Sequence, residues 1–158
     1  MPGNPPPGVR PPMLKSMDEA MTDHMLTLLR RLMKLNAAIM NFNVPVDWKK
    51  FKLLQYPEII KEPMDLGTVR NKLEADVKQV FENKHYQLAE EFAHDVRLVW
   101  KNAWTFNHQV TPVYKAARVL AESFEKWLLE PYRRSEMLGP PCSLKTRCQL
   151  LLSDIRCT

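Results

Sequence analysis

Residues 45–69 read PVDWKKFKLLQYPEIIKEPMDLGTV, a stretch that opens on Pro45, is cut again by Pro57 and Pro63, and ends on an acidic residue and an apolar run. No helical or alternating period survives across residues 43–64, so the segment reads as an irregular loop of roughly 20 residues. Loops of that length are uncommon inside a compact domain unless they carry a function. It also holds Val46, Phe51, Leu53 and Leu54, apolar side chains that a solvated linker does not need. They predict a loop that packs back onto a folded body.

Helical patterns lie on both sides of the loop. Upstream, Ser16-Met17-Asp18-Glu19 has the form of a capping box. From there Met21, Met25, Leu28, Leu32, Leu35 and Ile39 recur in steps of four and three, which lines one helical face and predicts a first helix of roughly 25 residues. Downstream, Asp65 is a candidate cap for a short helix through about Leu73, with Leu66, Val69 and Leu73 inward. Leu88, Phe92, Val96, Val99, Ala103 and Phe106 predict a third helix from about Gln87 to near Asn107. Gln87 is a weak residue for its start. Thr111 followed by Pro112 marks the start of a last helix, because a proline in the first helical position loses no hydrogen bond. Tyr114, Ala117, Leu120, Ala121, Phe124 and Leu128 carry its face, and Pro131 is expected to stop it.

The outcome is an all-α fold, a four-helix bundle whose long loop between the first and second helices covers one end. Glycine occurs only 4 times in 158 residues, and neither a Gly-rich phosphate loop nor strand-like alternation is present. Nucleotide-binding α/β folds are excluded. The chain divides into a Pro-rich flexible leader at 1–15, a folded domain at 16–134 and a C-terminal tail at 135–158, expected to be mobile. In that tail Leu144, Leu150, Leu151, Leu152 and Ile155 form an apolar set for which a short amphipathic helix is the other reading.

The formal net charge is +5, yet residues 42–131 carry 13 Lys/Arg against 13 Asp/Glu. The excess lies in the flanks, so direct nucleic-acid binding by the body is not expected. Cys142, Cys148 and Cys157 all fall in the tail, at spacings foreign to zinc sites. No leader peptide, membrane-length apolar run or Asn-x-Ser/Thr acceptor occurs, and an intracellular, soluble monomer is expected. His24, His85, His94 and His108 are scattered, and no nucleophile, base and orienting group stand at a recognisable spacing. Catalysis, metals and cofactors are therefore not expected.

PVD at 45–47, Tyr56, PMDLGTV at 63–69 and Asn107 followed by Val113-Tyr114 together resemble the bromodomain pattern over roughly residues 20–131. The resemblance implies a left-handed four-helix bundle with an acetyl-lysine pocket between two interhelical loops. It assigns to Asn107 the amide that donates to the acetyl carbonyl, and to Tyr56 the phenol that holds a water against the same oxygen. Val113 matches the gatekeeper, and Val46, Phe51 and Leu53 match the pocket wall, with Phe42 and Phe106 beside them. The implied partners are acetylated histone or other acetylated peptides and chromatin-associated proteins, in the nucleus. Such a pocket suits the chemistry. Acetylation replaces an ammonium with a neutral amide that an apolar slot accepts, whereas an unpaired ammonium there is costly.

Three positions depart from the pattern. Met40-Asn41-Phe42 stands where many members have Trp-Pro-Phe, Phe106 replaces the commoner tyrosine, and Gln87 is the weak helix start noted above. The other functional reading is a helical interaction scaffold with a vestigial pocket.

Overall fold

A computed structural model of the protein describes residues 16–137. The expected leader and the cysteine-bearing tail lie outside the described residues. Six α-helices and one 3-10 turn are formed: α1 Glu19–Met33, α2 Asn36–Asn41, α3 Tyr56–Ile59, α4 Leu66–Asp76, the 3-10 turn Phe81–Asn83, α5 Ala89–Phe106 and α6 Pro112–Met137. No strand is present among the described residues; the one β-type contact is an isolated bridge between Ser16 and Leu88. Residues up to Phe124 make one compact unit, and a second begins at Glu125, of which the described part is the continuation of α6.

The first helix differs from its expectation at both ends. Its N-cap is Asp18, whose carboxylate accepts from the Met21 amide at 2.8 Å, and Ser16 instead bridges to Leu88. The predicted 25-residue helix is two helices. At the break, Lys34 N–H and Leu35 N–H bond back to the Arg31 and Leu32 carbonyls, three residues away, and Leu35 turns extended. The freed Met33 carbonyl is taken by the Asn43 side-chain amide at 2.9 Å. A hydrogen bond from ten residues downstream thus stabilises the break, which a hydrophobic period cannot register. Ile39, expected inside, is 57% exposed on α2, whereas Met25, Leu28 and Leu32 are buried, joined by Leu26 and Leu29.

α3, a single helical turn, falls within the stretch 43–64 read as an irregular loop, whereas α4, α5 and α6 begin close to where their patterns put them. Asp65 caps α4 by accepting from the Thr68 amide at 3.0 Å, and Leu66, Val69 and Leu73 are fully buried. At the start of α5 the weak cap is compensated by Glu91, whose carboxylate takes the amides of Gln87 (2.7 Å) and Leu88 (3.0 Å). Thr111 caps α6 through its hydroxyl, which accepts from Tyr114. Pro131 does not stop that helix, which runs to Met137. A proline removes one N–H donor and crowds one turn, and here the helix on both sides is long enough to carry it.

The first unit has one core. α1 packs on α4, α4 on α5 and α3 on α5, and the Phe92 ring meets Phe124 of α6 edge-on at 6.1 Å. Phe92, Trp100 and Phe124 are essentially enclosed. Each such ring removes roughly 150–250 Å² from water, on the order of 4–6 kcal/mol of transfer free energy at about 25 cal/mol per Å². The segment before α1 belongs to this core. Met17 is fully buried, its N–H donates to the Gln87 carbonyl at 2.8 Å, and its carbonyl accepts from Lys84 Nζ at 2.7 Å.

Candidate functional site between two interhelical loops

The long loop is closed at its base. Phe42, buried at the end of α2 and edge-on to Trp100 at 5.9 Å, offers its carbonyl to the Leu66 amide at 2.9 Å. The entry and exit of the loop are thereby joined. Gly67 is required at this junction, because a Cβ there would clash with the Asn43 carbonyl. Farther out, Asn102 of α5 donates from its side chain to the Glu62 carbonyl at 2.7 Å, pinning the returning limb. Asn102 was not anticipated, although a polar residue one position from Ala103 on an apolar helix face was the available signal.

Between these anchors the outgoing limb forms a compact turn. Asp47 accepts from the Lys50 amide at 3.0 Å with its carboxylate and from the Phe51 amide at 3.0 Å with its carbonyl. Leu53 N–H reaches the Trp48 carbonyl at 2.8 Å. Lys52 sits in the left-handed region at φ 56°, where an L side chain is strained. The apolar residues expected to pack back do so unequally. Leu53 is half-buried, whereas Phe51 and Leu54 are 63% and 73% exposed. Tyr56 and Ile60, one helical turn apart, are the buried anchors.

Between the two limbs lies a cavity of about 420 Å³, whose walls include Val46, Trp48, Tyr56, Ile60, Met64 and Lys61. Of the sequence-predicted residues, Val46 and Tyr56 line it, while Asn107, Val113, Phe42, Phe51, Leu53 and Phe106 do not. The link to the second loop is made by rings: Tyr56 packs edge-on against Phe106 with centroids 5.0 Å apart. Burial pushes the Tyr56 phenol pKa up, so the hydroxyl stays protonated and remains a donor at neutral pH.

Asn107 follows Phe106 as the C-cap of α5, in an extended conformation. Its backbone N–H (3.0 Å) and its side-chain amide (2.9 Å) both donate to the Ala103 carbonyl. The amide is half-buried and already has a partner. Beyond it His108 and Val110 are exposed, the Thr111 hydroxyl donates to the His108 carbonyl at 2.7 Å, and Val113 lies half-buried in the first turn of α6. The structure thus brings Tyr56 against Phe106, the residue before Asn107, and places Phe42 in the core rather than at a surface.

A charged network elsewhere in the fold uses none of these residues. Asp95 accepts from Lys72 Nζ at 2.7 Å and from the Tyr86 hydroxyl at 2.8 Å, and Lys72 Nζ lies 5.5 Å from the Tyr86 ring centre. Burial alone would raise the Asp95 carboxyl pKa, but hydrogen bonds from Lys72 and Tyr86 and the Lys72 charge hold it below the ordinary carboxylate value. Burial, then the bond to Asp95, pushes the Tyr86 phenol far up. These groups tie α4 to α5. Among the described residues no three His, Cys, Asp or Glu are grouped to hold a metal, and no helix is long and apolar enough to cross a membrane.

The family model for the bromodomain matches residues 25–119, more than half of the chain. Transcription factor GTE11 of Arabidopsis thaliana is 38% identical over 121 residues, covering 76% of this chain and 18% of that protein. Transcription factor GTE5, chloroplastic, of the same plant is 44% identical over 103 residues, 65% of this chain and 19% of that protein. Bromodomain-containing factor 1 of Candida albicans is 40% identical over 91 residues, 57% of this chain and 11% of that protein. The chain spans about a fifth or less of the length of these relatives.

Proposed function

The chain belongs to the bromodomain family, and from that membership we propose that it binds acetylated lysine, on histone tails, as a reader in transcription regulation in the nucleus. The observation that supports this reading most directly is the edge-on contact of Tyr56 with Phe106, the residue that precedes Asn107 in the chain. In this reading the Asn107 amide leaves the Ala103 carbonyl and donates to the acetyl oxygen, while the Tyr56 hydroxyl holds a water against the same oxygen. One hydrogen bond replaces another, so little is lost, and the backbone N–H of Asn107 still serves Ala103. Val46 and Val113 supply apolar walls, and Phe51 and Leu53 meet the stem of the bound lysine. No bond is made or broken, and no cofactor is needed.

A second reading, an interaction scaffold with a vestigial pocket, is favoured by two observations. The Asn107 amide is engaged within its own helix end, and Met40, where many members carry the tryptophan shelf, is 77% exposed. Calorimetric titration with matched acetylated and unmodified histone-tail peptides separates the two. Binding that requires the acetyl group and is lost in Asn107→Ala supports the reader. Equal affinity for both peptides, or none for either, supports the scaffold.

A further inference from the structure

We propose that the cavity of about 420 Å³ between the two limbs of the first loop is a docking site for a polyproline segment, and that Pro5-Pro6-Pro7 of the chain's own leader occupies it. Neither Asn107 nor Val113 is among its walls, so it is separate from the amide on which the acetyl-lysine reading rests. The walls are apolar and aromatic, with Val46, Ile60 and Met64 beside Trp48 and Tyr56. Trp48 is held by its backbone, whose N–H donates to the Val46 carbonyl at 3.0 Å and whose carbonyl accepts from the Leu53 amide at 2.8 Å.

The hydrogen-bonding side chains on the walls select the occupant. The Trp48 indole N–H and the Tyr56 hydroxyl have no hydrogen-bond partner among the described residues, and Lys61 adds an exposed ammonium. The one carboxylate, Asp65, already accepts from the Thr68 amide at 3.0 Å and from the Thr68 hydroxyl at 2.6 Å. The side chains thus offer free donors and a satisfied acceptor. An ordinary extended peptide brings an N–H with each carbonyl and finds no carboxylate here to take it. A polyproline run brings carbonyls alone, because proline has no N–H and the polyproline helix makes no internal hydrogen bonds. Its rings also suit aromatic walls, the general mode by which such helices are recognised.

The leader holds such a run within reach, with six prolines in its first twelve residues. The described chain begins at Ser16, which bridges to Leu88. Asp76, the last residue of α4, takes the amides of His85 and Tyr86, so the leader departs near that end of α4. Asp65 and Thr68 of the cavity stand at the other end, about 17 Å away for an 11-residue helix. The nine residues back from Ser16 to Pro7 span about 28 Å at the polyproline rise. The site goes beyond the acetyl-lysine reading and does not rest on it.

The test is fluorine NMR of the full chain carrying fluorotryptophan at its four tryptophans, the Trp48 signal being the one absent from Trp48→Phe. P5A/P6A/P7A should move the Trp48 signal and leave those of Trp100, Trp104 and Trp127 in place. A synthetic peptide of residues 1–15, titrated into that variant, should move it back. For a peptide Kd on the order of 0.1 mM, a resident leader at a millimolar effective concentration makes the wild-type chain bind the same peptide about tenfold more weakly. A Trp48 signal unmoved by the proline replacement and by the peptide would overturn the proposal. Equal binding of a peptide with Pro5, Pro6 and Pro7 replaced by alanine would overturn the selection for polyproline. A Trp48 signal that shifts with protein concentration would overturn occupancy by the chain's own leader in favour of a second copy's. Because no acetylated peptide is present, failure here is separate from failure of the reader assignment.

Discussion

The rings of Tyr56 and Phe106 meet edge-on, 5.0 Å apart and inclined at 70°, so that the first interhelical loop rests on the last residue of α5. A contact of this geometry contributes about 0.5–1.5 kcal/mol beyond the area it buries. Tyr56→Phe keeps the ring and removes the hydroxyl, and should weaken acetylated-peptide binding roughly tenfold with an unchanged melting temperature. Phe106→Ala should weaken binding and stability together. Calorimetry and thermal melts on the two variants distinguish these patterns, and a Tyr56→Phe variant that binds like wild type would remove the water-holding role.

Gly67 and Asn43 are in close backbone approach, and the first Cβ added at 67 meets the Asn43 carbonyl. Gly67→Ala should therefore cost about 2 kcal/mol or more in chemical denaturation. It should also loosen the Leu66-to-Phe42 hydrogen bond that closes the loop. Stability within 0.5 kcal/mol of wild type, taken as roughly the effect of an ordinary surface change, would show that the junction relaxes freely.

Asp76 is enclosed and accepts from the amides of His85 (2.7 Å) and Tyr86 (3.0 Å) and from the His85 ring (2.8 Å). Removing the carboxylate leaves two amides without an acceptor. Asp76→Ala is expected to destabilise by about 3 kcal/mol, seen as a lower urea midpoint with an unchanged slope.

The Lys72–Asp95–Tyr86 network gives stability a pH dependence at both ends. Asp95 has a depressed folded pKa, so its contribution is present above the unfolded carboxylate value and is lost as pH falls through the lower folded value. Tyr86 has a raised folded pKa, so its contribution is complete below about pH 10 and declines as pH rises beyond that. Thermal melts from pH 6 down to pH 2 should fall less steeply for Asp95→Asn than for wild type. Parallel curves would mean that other carboxylates dominate acid unfolding.

The family match begins at residue 25, but Met17 and Thr22 are buried ahead of it. The folded unit is expected to need residues 16–24 as well. A chain beginning at residue 25 loses the Met17 anchor and the first turns of α1, and should melt at least 10 °C lower than one beginning at residue 16, since about 1 kcal/mol moves a domain of this size by roughly 4–8 °C. Equal melting temperatures would move the boundary inward.

The residue pattern alone determined the helical class, the position of the long loop and most inward faces, because burial of a helix requires a period that a one-dimensional string displays. Leu66, Val69 and Leu73 on α4, and Ala117, Leu120 and Phe124 on α6, are buried where that period puts them. The asparagine and tyrosine of the candidate site were legible through their joint spacing, as a resemblance rather than as geometry. Tertiary structure decided what depends on partners distant in sequence. The break after Met33 is stabilised by Asn43, the loop is pinned by Asn102 and closed by Phe42 on Leu66, and Phe51 and Leu54 lie exposed in and beside a turn held by local hydrogen bonds of Asp47. Only the folded chain places Tyr56 against Phe106 and turns the Asn107 amide to Ala103, since a ring contact across 50 residues and a rotamer choice leave no period in the sequence.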